Sequence, residues 1–142
     1  LRPQHKAYIG AIVSASDGRV LCQLRDDVPG IICPGTWCCC SGGHLERGES
    51  PETGVLRELR EEFEIEVGNL RPLLKHVEGA GEYEGTYYSY TADLLTAVEE
   101  VKCNEGVRVE FFRPEEAVDF PQHPVSRLFL RSYMNLATKL QS

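Results

Sequence analysis

The sequence predicts an α/β fold in which helices cover the faces of a mixed β-sheet. Three observations predict it. β-like runs open the chain, a capped amphipathic segment follows them, and further β-like runs lead to a last amphipathic segment. At 142 residues the chain has the length of a single domain, taken as 1–142, with enough residues to bury a proper core.

The elements follow in order. "AYIGAIVSA" (Ala7 to Ala15) is β-like, and "SDGR" (Ser16 to Arg19) is a turn signal because Asp-Gly tolerates positive φ. "VLCQLR" (Val20 to Arg25) is then its hairpin partner. "RDDVPGIICPG" is a loop, interrupted by Pro29 and Pro34. "TWCCC" (Thr36 to Cys40) is expected to be a short buried strand feeding the Gly42-Gly43 loop. A helix is expected to begin near Ser50, which can cap free N–H groups, with Pro51 at the first helical position. Its apolar positions are Val55, Leu56, Leu59 and Phe63. "LRPLLKHV" and "TYYSYTADL" form an expected antiparallel pair, and "VRVEFF" is another strand. "PEEAVDF" is a short helix or turn. The C-terminal stretch puts Val125, Leu128, Phe129, Leu136 and Leu140 on one helical stripe.

Composition narrows the function. Fifteen basic against twenty-two acidic residues give a net charge of −7. That disfavours a binder of nucleic-acid polymers, which needs a basic face to displace counterions. A small phosphate-bearing substrate remains compatible, provided a cation inverts the local charge. No apolar run is long enough for a membrane helix, and the opening "LRPQHKAYIG" carries no secretory signal pattern. The six cysteines fit neither a disulfide framework nor a paired zinc motif, so reduced thiols and a cytoplasmic setting are expected.

The helix carries the chemistry. Glu58, Glu61 and Glu62 stand at i, i+3 and i+4, so they occupy an arc beside the apolar one. Like charges at this spacing repel, and a solvated acidic face would be the plain explanation. The glycine pair upstream allows close approach of a ligand, and clustered carboxylates suit a hard divalent cation.

The spacing extends beyond this cluster. From Gly43, five residues lead to Glu49, and seven more lead to Arg57-Glu58-Leu59, then Arg60, Glu61-Glu62, Phe63, Glu64 and Ile65. This resembles the Nudix box, with Glu64 in place of its second glycine. The flanks, from "RDDVPGIICPGTW" to "FFRPEEA", are similar to the family as well. The resemblance implies an α/β/α sandwich and hydrolysis of a diphosphate linked to another group. It further implies Mg²⁺ or Mn²⁺ held by Glu58, Glu61 and Glu62, with the Gly43 carbonyl as a further ligand. Glu49 and Arg57 would pair and hold the loop to the helix. A bound cation would neutralise the diphosphate and activate a water. The general base is open among Glu58, Glu105, which lies six residues before an aromatic, and Glu110. Related enzymes are often dimers, so a homodimer is an expectation of the resemblance. If position 64 is left-handed, a non-glycine residue there costs about 1 kcal/mol.

"CCCSGGH" also resembles the isopentenyl-diphosphate isomerases, relatives that use a cysteine and glutamates. Their Cys-Cys-Ser-His string is broken here by two glycines. Cys38, Cys39 and Cys40 are therefore expected to be small, buried strand residues, with the isomerase and a non-catalytic nucleotide-binding module as alternatives. Substrate contacts are expected from Arg25, His44 and Tyr88. Tyr88 shares a strand face with Tyr90 while Tyr87 takes the other. Trp37 is expected in the core. Nothing in the sequence specifies a base, sugar or phosphate-chain length.

Overall fold

The computed structural model describes residues 6–141, with side chains through residue 136. Seven strands form one mixed sheet. They are β1 (Ala7–Ser14), β2 (Val20–Leu24), β3 (Trp37–Cys38), β4 (Ser41–His44), β5 (Val67–Glu78), β6 (Gly85–Leu94) and β7 (Arg108–Phe112). The order is β3-β2-β1-β6-β5, with β4 also on β1 and β7 on β2. Among the described strands β1 and β6 pair in parallel and the other strand pairs are antiparallel.

Alternation along the strands builds two cores. Ile9, Ala11 and Val13 of β1 and Leu21 of β2 face one side, where α1 (Pro51–Phe63) covers them with Val55, Leu59 and Phe63. Ile12, Val20 and Cys22 face the other side, under α2 (Pro114–Ala117) and α3 (Pro124–Gln141). The result is the expected mixed sheet flanked by helices. Phe63 is wholly buried, so truncating it to Ala costs about 3–5 kcal/mol.

The sheet also splits. β1 pairs with β4 from Tyr8 to Ala11, and meets β2 only at Ser14, opposite Val20. β2 and β4 therefore diverge from a shared neighbour and leave a cleft between them.

α1 starts as its sequence requires. Ser50 is the N-cap and its side chain accepts a hydrogen bond from the Thr53 N–H, with Pro51 next. Three expectations need correction. Leu56 is only half-buried, and Glu62 lies on the buried face instead. At about 100° per residue, Glu62 falls about 20° from Val55 on the side away from Leu59, Glu58 about 60° and Glu61 about 120° in the same direction. The three glutamates thus share the expected arc, and their burial falls with distance from the apolar face, from Glu62 through Glu58 to exposed Glu61.

The cysteine run is not one strand either. It bends after Cys38 so that β4 can start on β1, leaving Cys39 wholly buried and Cys38 and Cys40 half-buried. Among the described side chains of α3 the buried ones are Val125, Ser126, Phe129 and Leu130, one position round from the expected stripe. Leu128 is half-buried and Leu136 is 44% exposed, while the Leu140 side chain lies outside the described residues. The pairs at 125/126 and 129/130 repeat every four residues, which follows the helix more closely than the apolar letters alone.

Candidate active site

The cleft between the diverging strands is a cavity of about 460 Å³, within the range of small-molecule sites, about 300–1,000 Å³. Its walls include Tyr8, Arg25, Cys38, Cys40, Gly42 and Gly43, with Glu58, Glu62 and Glu105 among them. The expected substrate contacts Arg25, His44 and Tyr88 all line it. Glu110 does not; it sits in a separate groove beside Val109 and Arg19, ion-paired to Arg108.

Two glycines form the floor for steric reasons. A Cβ on Gly42 would fall 1.9 Å from the Ile9 carbonyl oxygen, so no side chain fits between β4 and β1. A Cβ on Gly43 would stand 2.8 Å from a Glu58 carboxylate oxygen, which places that carboxylate directly over the loop.

Arg57 organises the helix against this loop. Its Nε donates to Glu49 Oε2 at 2.7 Å and its Nη2 to Glu49 Oε1 at 3.0 Å. Nη1 reaches Glu58 Oε1 at 2.9 Å and Glu61 Oε2 at 3.2 Å, and Nη2 reaches the His44 carbonyl at 3.1 Å. This forked grip holds the Glu49 carboxyl below its ordinary value and raises that of the guanidinium. Glu49 and Arg57 thus stand outside the cavity and tie the loop to the helix. Glu61 is turned toward Arg57 and does not line the cavity.

Glu62 is the electrostatic centre. Its carboxyl is pushed up to about 9, first by burial and then by the facing charges of Glu58 and Glu105. Its Oε2 is buried with no hydrogen-bond partner among the described residues. A buried carboxylate left this way is costly unless something positive or hydrogen-bonding completes it. The groups that face Glu62 with charge, Glu58 and Glu105, offer hard carboxylate oxygens, which suit Mg²⁺ or Mn²⁺. Among the described residues no three His, Cys, Asp or Glu side chains form a closed metal site. An open site of few carboxylates suits magnesium, which keeps its remaining positions for water and phosphate.

The loop carrying Glu105 is held to both sides of the cleft. Gln23 of β2 donates its amide to the Glu105 carbonyl, and the Val107 N–H donates to the Leu24 carbonyl at 2.8 Å. On the α1 side the Asn104 N–H donates to the Glu62 carbonyl at 2.9 Å. Gln23 and Asn104 carry no local sequence signal, since both act through contacts distant along the chain.

Aromatic rings form one wall. In register across the sheet, His76, Tyr87, Tyr8 and His44 make a row, with Tyr8 and Tyr87 stacked at 4.7 Å. Tyr8 and His123 were not singled out by the sequence, and Tyr87 was placed only on the strand face opposite Tyr88, yet all three line the cavity. Trp37 packs edge-on against Phe112 at 5.1 Å and also borders the cavity. The thiols are poor nucleophiles: burial pushes Cys38 up to about 12 and Cys40 well above its ordinary value.

This fold and this box define a class of protein, and comparison with known proteins agrees. A family model described as the NUDIX domain matches residues 4–133. The chain belongs to the Nudix family of hydrolases. It is 28% identical over 138 residues to the nucleoside triphosphatase NudI of Escherichia coli O17:K52:H18, covering 90% of this chain and 96% of that one. It is 43% identical over 62 residues to an RNA pyrophosphohydrolase of Gluconacetobacter diazotrophicus, 42% of this chain and only 36% of that protein's length. A solved MutT NUDIX hydrolase from Burkholderia pseudomallei shares the fold with a TM-score of 0.72 at 25% identity, covering 92% of this chain and 98% of that one. Among the described residues no helix is long and apolar enough to cross a membrane.

Proposed function

We propose that this enzyme hydrolyses a diphosphate linkage in a small nucleotide derivative, a nucleoside triphosphate before a nucleotide sugar, with a divalent cation as cofactor. One observation carries the proposal: three carboxylates, Glu58, Glu62 and Glu105, converge in the cavity beside Gly43, and one buried oxygen of Glu62 lacks a partner among the described residues. Similarity to a nucleoside triphosphatase over nine-tenths of the chain supports the substrate class. The net charge of −7 weighs against an RNA polymer.

Glu58, Glu62 and the Gly43 carbonyl would hold Mg²⁺ or Mn²⁺, and Glu61 would join by releasing Arg57. When bound, the cation supplies charge neutralisation at the diphosphate and a lowered pKa for the attacking water. Glu105, or Glu58, accepts the proton as the water oxygen attacks phosphorus. The bridging P–O bond breaks, and its electron pair leaves with the departing phosphate group. Arg25 and His44 border the phosphate chain, while Tyr88 and the aromatic wall face the rest of the substrate. All six cysteines lack disulfides, in keeping with a reducing, cytoplasmic setting.

The experiment is a substrate panel with Mg²⁺: nucleoside triphosphates including oxidised ones, nucleotide sugars, dinucleoside polyphosphates and isopentenyl diphosphate. A nucleoside monophosphate product, lost in Glu62→Gln, is the expected result. Rearranged isopentenyl diphosphate, lost on replacing Cys38 or Cys40, would transfer the chemistry to the thiols.

A further inference from the structure

Glu64 stands where the family pattern has glycine, and the structure gives it work that glycine could not do. It caps α1 in the left-handed conformation, φ 54° and ψ 42°, with its N–H on the Arg60 carbonyl. Glycine adopts this geometry freely, whereas a side chain adopts it under strain. What accompanies the strain is a contact. The Asn104 side-chain amide donates to Glu64 Oε2 at 3.1 Å, and the same nitrogen donates to the Glu61 carbonyl at 2.9 Å. Two N–H bonds on one nitrogen thus serve two acceptors at the end of α1. The Asn104 backbone N–H adds its bond to the Glu62 carbonyl, and the Lys102 N–H one to the Phe63 carbonyl at 3.0 Å.

The next residue is Glu105. Its loop leaves α1 at Asn104 and joins β2 at once, where Gly106 (φ 89°) lies so close that a Cβ would sit 2.7 Å from the Leu24 carbonyl oxygen. The loop has no slack at its β2 end. Its α1 end depends on Asn104, whose amide is oriented by Glu64.

We infer that Glu64 is a positioning residue: through Asn104 its carboxylate fixes the loop that aims Glu105 at Glu62. This rests on the proposed role of Glu105 as proton acceptor. It gives the non-glycine residue a function in this chain, in which helix-end strain is exchanged for a fixed second wall of the site.

Four variants separate the possibilities: Glu64→Gly, Glu64→Ala, Glu64→Gln and Glu105→Gln. The readouts are amide hydrogen exchange over residues 102–106, melting temperature, and hydrolysis of an equimolar mixture of the four common ribonucleoside triphosphates with Mg²⁺. Glu64→Gly is expected to speed exchange in the loop and lower the maximal rate about tenfold, with the half-saturating concentration unchanged. Its melting temperature is held, or raised by about 2–4 °C, because the strain is relieved. A merely structural residue would move stability and rate together. Glu64→Ala is expected to lose rate and stability alike, while Glu64→Gln, which keeps an acceptor for Asn104, restores most of the rate. Unchanged exchange and rate in Glu64→Gly, beside an inactive Glu105→Gln, would overturn the positioning role alone. A fully active Glu105→Gln would overturn the reading on which it rests.

Discussion

Arg57 grips Glu49 through two parallel hydrogen bonds, 2.7 and 3.0 Å, and through this grip the loop before α1 is fixed to the helix. The pair is mostly buried, with the Arg57 side chain 20% exposed and that of Glu49 9%. Arg57→Ala would leave Glu49 without its counter-charge and is expected to lower the urea midpoint. Arg57→Lys recovers less than half of that, since an ammonium cannot reproduce the fork.

Gly54 depends on the same pair. In most helix interiors Gly→Ala stabilises by about 1 kcal/mol. Here a Cβ would stand 2.9 Å from Glu49 Oε1 and 3.1 Å from Leu45 Cδ1, and Arg57 keeps Glu49 from moving aside. Gly54→Ala is therefore expected to destabilise by about 1 kcal/mol. In the Arg57→Ala background the cost shrinks, which a double-mutant cycle measures.

Gly43→Ala tests the loop as part of the proposed cation site. Its Cβ would push on the Glu58 carboxylate from 2.8 Å. The expected result is about a tenfold higher Mg²⁺ concentration for half-maximal rate, with a melting temperature close to wild type. A variant that instead loses stability while keeping its Mg²⁺ requirement would remove Gly43 from the site.

Stability of the chelator-treated protein should depend on pH through Glu62. Its carboxyl rises from an ordinary 4.5 to about 9 in the fold, chiefly by burial. Between those values the folded protein keeps a proton that the unfolded chain has released. The contribution is thus fully present below about pH 4 and is lost as pH climbs through about 9. Melting temperature is expected to fall from pH 6 to pH 9 in the wild type and to flatten in Glu62→Gln. Adding Mg²⁺ should restore most of the loss at the alkaline end, because the ionised carboxylate then has a partner.

Local patterns were legible in the sequence, and long-range contacts were not. Ser50, Pro51 and the 3.6-residue period define α1, and Asp17-Gly18 defines the first turn, because both depend on neighbours in sequence. The box spacing located Glu58, Glu62 and Gly43, which the fold brings to one cavity. The burial of Glu62 could have been read from the helical wheel, since it falls only about 20° from Val55. Apolar letters drew attention to Leu56 instead. The bend in Cys38–Cys40 follows from β4 pairing with β1, a tertiary event with no local signature. Gln23 and Asn104 were invisible for the same reason: their partners lie 82 and 40 residues away.

Mn²⁺ titration of the protein, followed by electron paramagnetic resonance at pH 8, tests the central claim most directly. Saturable binding that Mg²⁺ displaces, weakened at least about tenfold in both Glu62→Gln and Glu58→Gln, is the result this account predicts. Equal Mn²⁺ affinity in wild type and both variants would contradict it.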